Sequence, residues 1–329
     1  MKTAIVFVNL GTPSQPTAKS VRKFLREFLS DRRVVEIPSP IWLAILYLFI
    51  LPFRPKKVAE GYKQTFIKGH SPLRLYSEEL VSGVNAQFKR EMGSQAPSCR
   101  LAMTYGDGNI SQVSDELIKE GAESILYVPL FPQYSATTTA AVLDKITAYY
   151  QGKRDICQWH WLRDYHQHPL YIEALAESLR SHWQEHGQAQ QLLMSFHGIP
   201  QRNIDLGDPY FEQCTVTANL LAKSLELKSD QWQLSFQSRL GRAKWLQPYS
   251  IDSVTKLGQK KLAKLDVIAP AFAVDCLETL EEIQGELAEA FVDNGGGQLR
   301  YVPCLNASEQ HQRLFVALCK PYLTLGGRV

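Results

Sequence analysis

Several familiar signatures are missing from this sequence, and each absence removes a class of function. No GxGxxG and no GxxxxGK[ST] stands at a strand-to-helix junction, so neither a dinucleotide nor a phosphate-loop site has its warrant. The six cysteines (Cys99, Cys157, Cys214, Cys276, Cys304, Cys319) form no CxxC pair and no Cys/His cluster with zinc spacing, which points to a reducing cytoplasm. Lys plus Arg number 36 against 33 for Asp plus Glu, a net charge of +3 that leaves no basic stripe for nucleic acid. Repeats of fixed period and low-complexity tracts are lacking as well. The opening MKTAIVFVNLGTP breaks at Gly11-Thr12-Pro13 without a small-residue cleavage site and reads as a first strand, not a signal peptide.

Long hydrophobic runs are also scarce. The longest, from Ile41 to Phe53, would cover as a helix about 20 Å of a hydrocarbon core about 30 Å thick, too little to span it. It is apolar on every side and lies between Arg32-Arg33 and Arg54, Lys56 and Lys57. Two readings stand: a buried helix with solvated charged ends, or an exposed lip that meets an anionic membrane or an oily substrate.

What is present fits an ordered protein large enough for two domains: 329 residues, 45% hydrophobic and 21% charged. Short apolar runs at 4–9, 100–105, 124–129, 191–196, 233–236 and 267–270 alternate with helical patterns near 17–29, 111–120, 140–150, 170–185, 210–225, 250–261, 277–291 and 308–318. This alternation predicts an α/β fold with parallel sheets, in two similar halves parted at the polar stretch 151–158. Ligands of such sheets bind outside the carboxyl ends of the strands, so the residues just after each apolar run matter most.

Four segments stand there. In LLMSFHGIP, His197 directly follows a strand that Gly198 and Pro200 terminate; an imidazole at that place suits metal ligation or base catalysis, or a structural role. In PAFAVDCLETLEEI, Asp275, Glu278 and Glu282 are spaced to share a helix face, although Asp275 with Glu278 would also make a capping box. A histidine with a row of carboxylates forms an N/O site that suits ferrous iron, and the acids can also carry protons. In FQSRLGRAKWLQPYS, Ser238, Arg239, Arg242 and Trp245 suit a flat aromatic ligand bearing carboxylates, or an ordinary polar loop with Trp245 in the core. The fourth segment is the pair of strand-end loops VNLGTP and VPLFPQYSATTT.

VNLGTP, FLSDRRVVEIP, FPQYSATTT, SFHGIPQR with GDPYFEQC, FQSRLGRAKWLQPY and FAVDCLETLEEI resemble the ferrochelatase family in order and spacing, over nearly the whole chain. The resemblance implies the chelatase fold: two Rossmann-like domains, each a parallel sheet flanked by helices, with residues 1–155 joined by a returning helix at 306–329 and residues 156–305 forming the second domain. It implies protoporphyrin IX and Fe²⁺ as substrates and a lyase activity that yields haem. His197 and Glu278 match the family's catalytic and metal pair, with Asp275 and Glu282 as proton relay or secondary metal ligands. Leu10, Arg32, Arg33, Tyr105, Ser238, Trp245 and Phe272 fall at porphyrin-contacting positions. Leu10 points to protoporphyrin rather than coproporphyrin, and Thr104 stands where some members carry an arginine. Ala136 and a single C-terminal cysteine, Cys319, imply no iron–sulfur cluster. Ile41–Phe53 becomes a site of peripheral membrane contact for a cytoplasmic protein. The rival readings are a cobalt or nickel chelatase and a non-catalytic haem carrier or sensor.

Overall fold

A computed structural model describes residues 2–239, 241 and 243–324, so Arg242 lies outside the described residues. The chain divides into two units, one comprising 1–131, 135–164 and 307–329, the other 132–134 and 165–306.

The first unit is built on a parallel sheet of β1 (Thr3–Asn9), β2 (Ser98–Met103), β3 (Ser124–Pro129) and β4 (Gln158–Trp161), in the order β2-β1-β3-β4. Residues Ala4 to Val8 of central β1 are all buried, as a strand covered by helices on both faces must be. Between the strands run α1 (Ala18–Leu29), α2 (Ser39–Ile45), α3 (Leu51–Thr65), α4 (Pro72–Met92), α5 (Ile110–Lys119) and α6 (Ala141–Gln151). Thr17 caps α1 by accepting from the Ser20 N–H at 3.3 Å, and Val21, Phe24 and Leu29 bury its inner face, each contributing about 1.5–3 kcal/mol. Gly11, at φ +113°, lies so close to the strand-end backbone that a Cβ would sit 2.0 Å from the Tyr105 carbonyl oxygen.

The second unit repeats the plan with β5 (Gln191–His197), β6 (Trp232–Gln237), β7 (Lys264–Ile268) and β8 (Gln298–Val302), all parallel, in the order β6-β5-β7-β8. Its helices are α7 (Pro169–His186), α8 (Gln201–Asp205), α9 (Tyr210–Ser224), α10 (Ser250–Gln259), a π-helix at Glu278–Leu287 and α11 (Ala288–Asp293). Leu193, Val254, Val267, Ile283, Leu287 and Phe291 form its core. The chain then returns to the first unit as α12 (Glu309–Thr324), which packs on α4 and sets Phe315 edge-on to Phe7 at 5.3 Å.

The division falls at 164/165 rather than 155/156, because Gln158–Trp161 pairs with β3 and so completes the first sheet. In each sheet the chain leaves the first strand toward one edge and the third toward the other. The reversal point therefore lies between β1 and β3 in one unit and between β5 and β7 in the other, where open α/β sheets bind ligands.

The Ile41–Phe53 run is not a buried helix. Leu46 and Leu51 are buried with Leu29, and the Trp42 indole donates to the Leu29 carbonyl at 2.6 Å. A π-helical turn at Leu46–Ile50 then turns Leu48, Phe49 and Phe53 outward, at 64%, 66% and 73% exposure. No helix among the described residues is long and apolar enough to cross a membrane.

Candidate active site

β5 ends at His197, whose register partner on β6 is Gln237. The next residue must be small: a Cβ on Gly198 would lie 2.7 Å from the Gln237 carbonyl and 3.2 Å from the Trp245 ring. The His197 ring is fixed by a 2.6 Å hydrogen bond between Nδ1 and the Gly198 carbonyl. A carbonyl only accepts, so Nδ1 carries the proton and Nε2 presents its lone pair. Burial lowers the pKa of His197, outweighing the opposing pull of the nearby Glu278 charge and the Gly198 carbonyl. The half-buried imidazole is thus neutral near pH 7. Phe272 lies against it, with ring centroids 6.2 Å apart.

The chain leaving β7 brings up the carboxylates. Asp275 accepts from Tyr301 Oη at 2.6 Å, Thr279 Oγ1 at 3.0 Å and Asn306 Nδ2 at 2.7 Å, while its own N–H donates to Asn306 Oδ1 at 2.8 Å. With 3% exposure and both oxygens engaged, Asp275 anchors the start of the π-helix. The expected capping box does not form, since no side chain caps this helix.

In the π-helix hydrogen bonds close from i to i+5, a geometry that is rare overall and frequent at functional sites. Here the acids in line are Glu278, Glu282 and Glu286. Burial pushes the Glu282 carboxyl up to about 7, and the charges of Glu278 and Glu286 add to the rise. Bonds from Ser238 Oγ at 2.5 Å and Gln237 Nε2 at 3.1 Å oppose it. Gln237 also donates to the Glu278 carbonyl at 3.0 Å, while its own oxygen accepts from Ser195 Oγ at 2.8 Å. One buried amide therefore ties the end of β6 to the start of the π-helix. Among the described residues no three His, Cys, Asp or Glu side chains converge on a metal position.

The second unit thus brings His197, Glu278, Glu282, Ser238, Phe272 and Trp245 into one neighbourhood. Gln237 and Glu286 belong to it and were missed from sequence. Gln237 was open to the same strand-end rule that singled out His197, and Glu286 continues the Glu278–Glu282 spacing by four. Arg239 stacks over the Tyr249 ring at 4.9 Å.

In the first unit Leu10 is half-buried just after β1, and Arg32 is exposed. Arg33 is gripped by Asp144 through Nε–Oδ2 at 2.7 Å and Nη2–Oδ1 at 3.1 Å. Tyr105 is fully buried, its ring edge-on to Phe28 at 5.3 Å and its hydroxyl donating to Asp31 at 3.0 Å. It packs as a core residue beneath α1. Ala136 opens a π-helical segment, Ala136–Ala140, and Cys319 is buried in α12.

Comparison with known proteins gives this geometry its context. Residues 2–322 match the family model described as Ferrochelatase. The ferrochelatase of Aromatoleum aromaticum is 48% identical over 94% of this chain and 84% of its own length. Those of Aeromonas hydrophila and Methylococcus capsulatus are 46% and 44% identical, with 96% and 98% of this chain and 97% and 98% of theirs covered. Among solved structures, SirB from Bacillus subtilis with Fe³⁺ superposes with a TM-score of 0.58 at 12% identity, covering 99% of this chain and 98% of that one. CbiX, the terminal enzyme for biosynthesis of sirohaem in denitrifying bacteria, does so at 0.52 and 13%, covering 97% and 98%. Those two likenesses establish the chelatase fold, and the sequence matches establish more: the chain belongs to the ferrochelatase family, enzymes of the lyase class that act in haem synthesis.

Proposed function

We propose that the protein inserts Fe²⁺ into protoporphyrin IX, releasing two protons and forming protohaem, with His197 and Glu278 as the reacting pair. The observation that carries the assignment is the Nδ1–Gly198 hydrogen bond of a neutral His197 beside the Glu278 charge. It leaves the Nε2 lone pair to take a pyrrole proton or to touch the metal, and an anionic carboxylate to meet a hydrated dication. Glu282, with its pKa near 7, exchanges protons close to neutrality and continues the path along the π-helix toward exposed Glu286. Trp245, Phe272 and Ser238 supply porphyrin contacts, as do Leu10 and Arg32; Leu10 supports protoporphyrin over coproporphyrin. Arg33 remains a porphyrin contact only if it exchanges its Asp144 partner. Out-of-plane bending of the ring, which exposes the pyrrole lone pairs, draws about 1–5 kcal/mol from binding.

No iron–sulfur cluster is part of the reading, with Ala136 at one family ligand position, and assay of iron and acid-labile sulfide in purified protein checks it. The exposed Leu48, Phe49 and Phe53, followed by Arg54, Lys56 and Lys57, support peripheral contact with an anionic membrane at its cytoplasmic face. Anaerobic incubation with protoporphyrin IX and Fe²⁺ tests the main assignment. The four visible porphyrin bands collapse as haem forms, and an unchanged spectrum refutes it. Parallel reactions with Co²⁺ and Zn²⁺ establish the metal preference.

A further inference from the structure

The turn that carries Arg32 is held from one side by a small polar network in the first unit. The Asp31 side chain, 11% exposed, meets three donors. Its Oδ2 accepts from Tyr105 Oη at 3.0 Å and lies 3.4 Å from Lys145 Nζ, while Oδ1 accepts from the Arg33 N–H at 2.9 Å. The Asp31 carbonyl accepts from the N–H groups of Val34 and Val35, both at 3.0 Å. On the same helix as Lys145, Asp144 takes Arg33 in its two-pronged ion pair. The turn and one of its two arginines are thereby fixed. Arg32 is exposed and has no side-chain partner among the described residues.

We propose that Asp31 is a positioning residue, which holds the turn through Tyr105 and Lys145 and so presents the Arg32 guanidinium to a carboxylate of the porphyrin. Asp31 itself does not touch the substrate. A neutral, apolar porphyrin edge gains nothing from this arrangement; an ionised propionate gains a charge-assisted bond from a pre-oriented donor. The inference rests on the reading of Arg32 as a porphyrin contact and adds to it why Arg32, rather than Arg33, is available.

The test is steady-state metal insertion with protoporphyrin IX and, separately, with its dimethyl ester. Asp31→Ala is expected to raise KM for the diacid about tenfold, the equivalent of one charge-assisted hydrogen bond, with kcat within about twofold and KM for the diester unchanged. Arg32→Gln is expected to do the same, and the double variant no more than either alone. Asp31→Glu restores part of the loss. Tyr105→Phe removes one donor, keeps the buried ring and raises the same KM about threefold, which covers the case in which Asp31→Ala does not fold. If Arg32→Gln raises the diacid KM and Asp31→Ala does not, the positioning role is overturned while the Arg32 contact stands. If Arg32→Gln leaves the diacid-to-diester ratio untouched, the contact itself fails and the inference with it. An equal loss of kcat on both substrates in Asp31→Ala also overturns it.

Discussion

Ser238 Oγ donates to Glu282 Oε2 at 2.5 Å, so a carboxyl lifted to about pKa 7 by burial is partly restrained by a hydroxyl at the end of β6. The linkage follows from the direction of that shift. Below the ordinary value of 4.5 both folded and unfolded chains hold the proton; between 4.5 and about 7 only the folded one does. Its contribution to stability is therefore fully present at acidic pH and is lost as pH rises through 7. Urea unfolding of the native protein and of Glu282→Gln should show the native form losing on the order of 2 kcal/mol relative to the variant between about pH 5 and about pH 8. A pH-independent difference between the two would contradict the elevated pKa.

Removing either member of the proposed His197–Glu278 pair should stop chemistry without emptying the site. His197→Ala and Glu278→Gln are expected to lower kcat for Fe²⁺ insertion by about 10²–10⁴-fold each, with porphyrin binding retained by fluorescence titration. Near-normal turnover in both would withdraw the assignment.

Far from this chemistry, Arg300 and Asp266 form a buried pair, with Nε–Oδ1 at 2.7 Å and Nη2–Oδ2 at 2.9 Å, and the Trp183 indole donates to the same carboxylate at 2.8 Å. Asp266→Ala leaves a guanidinium buried without its counter-charge, a loss of about 3–5 kcal/mol in stability. Activity per folded molecule at low temperature should be unchanged. Denaturation midpoints and kcat measured on the same sample separate the two effects.

The lip predicts a surface phenotype. Leu48→Glu with Phe49→Glu should abolish flotation with phosphatidylglycerol vesicles, and because both side chains face outward the melting temperature should stay within a few degrees. Leu46 is the wrong position for such a test: it is fully buried, and a charge there would unfold the segment. Equal flotation of the altered and native proteins would argue against membrane contact.

Parts of the molecule were legible from residue patterns for physical reasons. The central strands β1, β3 and β5 are covered on both faces and read as continuous apolar runs. β4 (QWHW) and β8 (QLRYV) were missed; both are short edge strands with polar residues mixed in, as edges tend to be. α4 was also passed over, although its signals were there to read. Ser71 accepts from the Arg74 N–H, Pro72 opens the helix and Gly93 ends it.

The placement of His197 at a strand end was legible because it is a local property. The capping box expected at Asp275 does not form because the helix starts only at Glu278, and its π winding is not visible in the pattern. The burial of Tyr105 beneath α1 was not legible because it depends on distant residues. The Leu48–Phe49 exposure was undecidable for the same reason: an all-apolar run carries no sign of which side faces out.

The return of α12 to the first unit, where Phe315 packs on Phe7, has a consequence for synthesis on the ribosome. The first unit lacks α12 until residues 309–324 have been translated, whereas residues 165–306 emerge before it as an uninterrupted block. The packing of the first unit is therefore completed only after α12 has emerged, although domains usually fold from the N-terminus first. A nascent chain stalled before residue 307 would present the chaperone machinery with an uncovered face of α4.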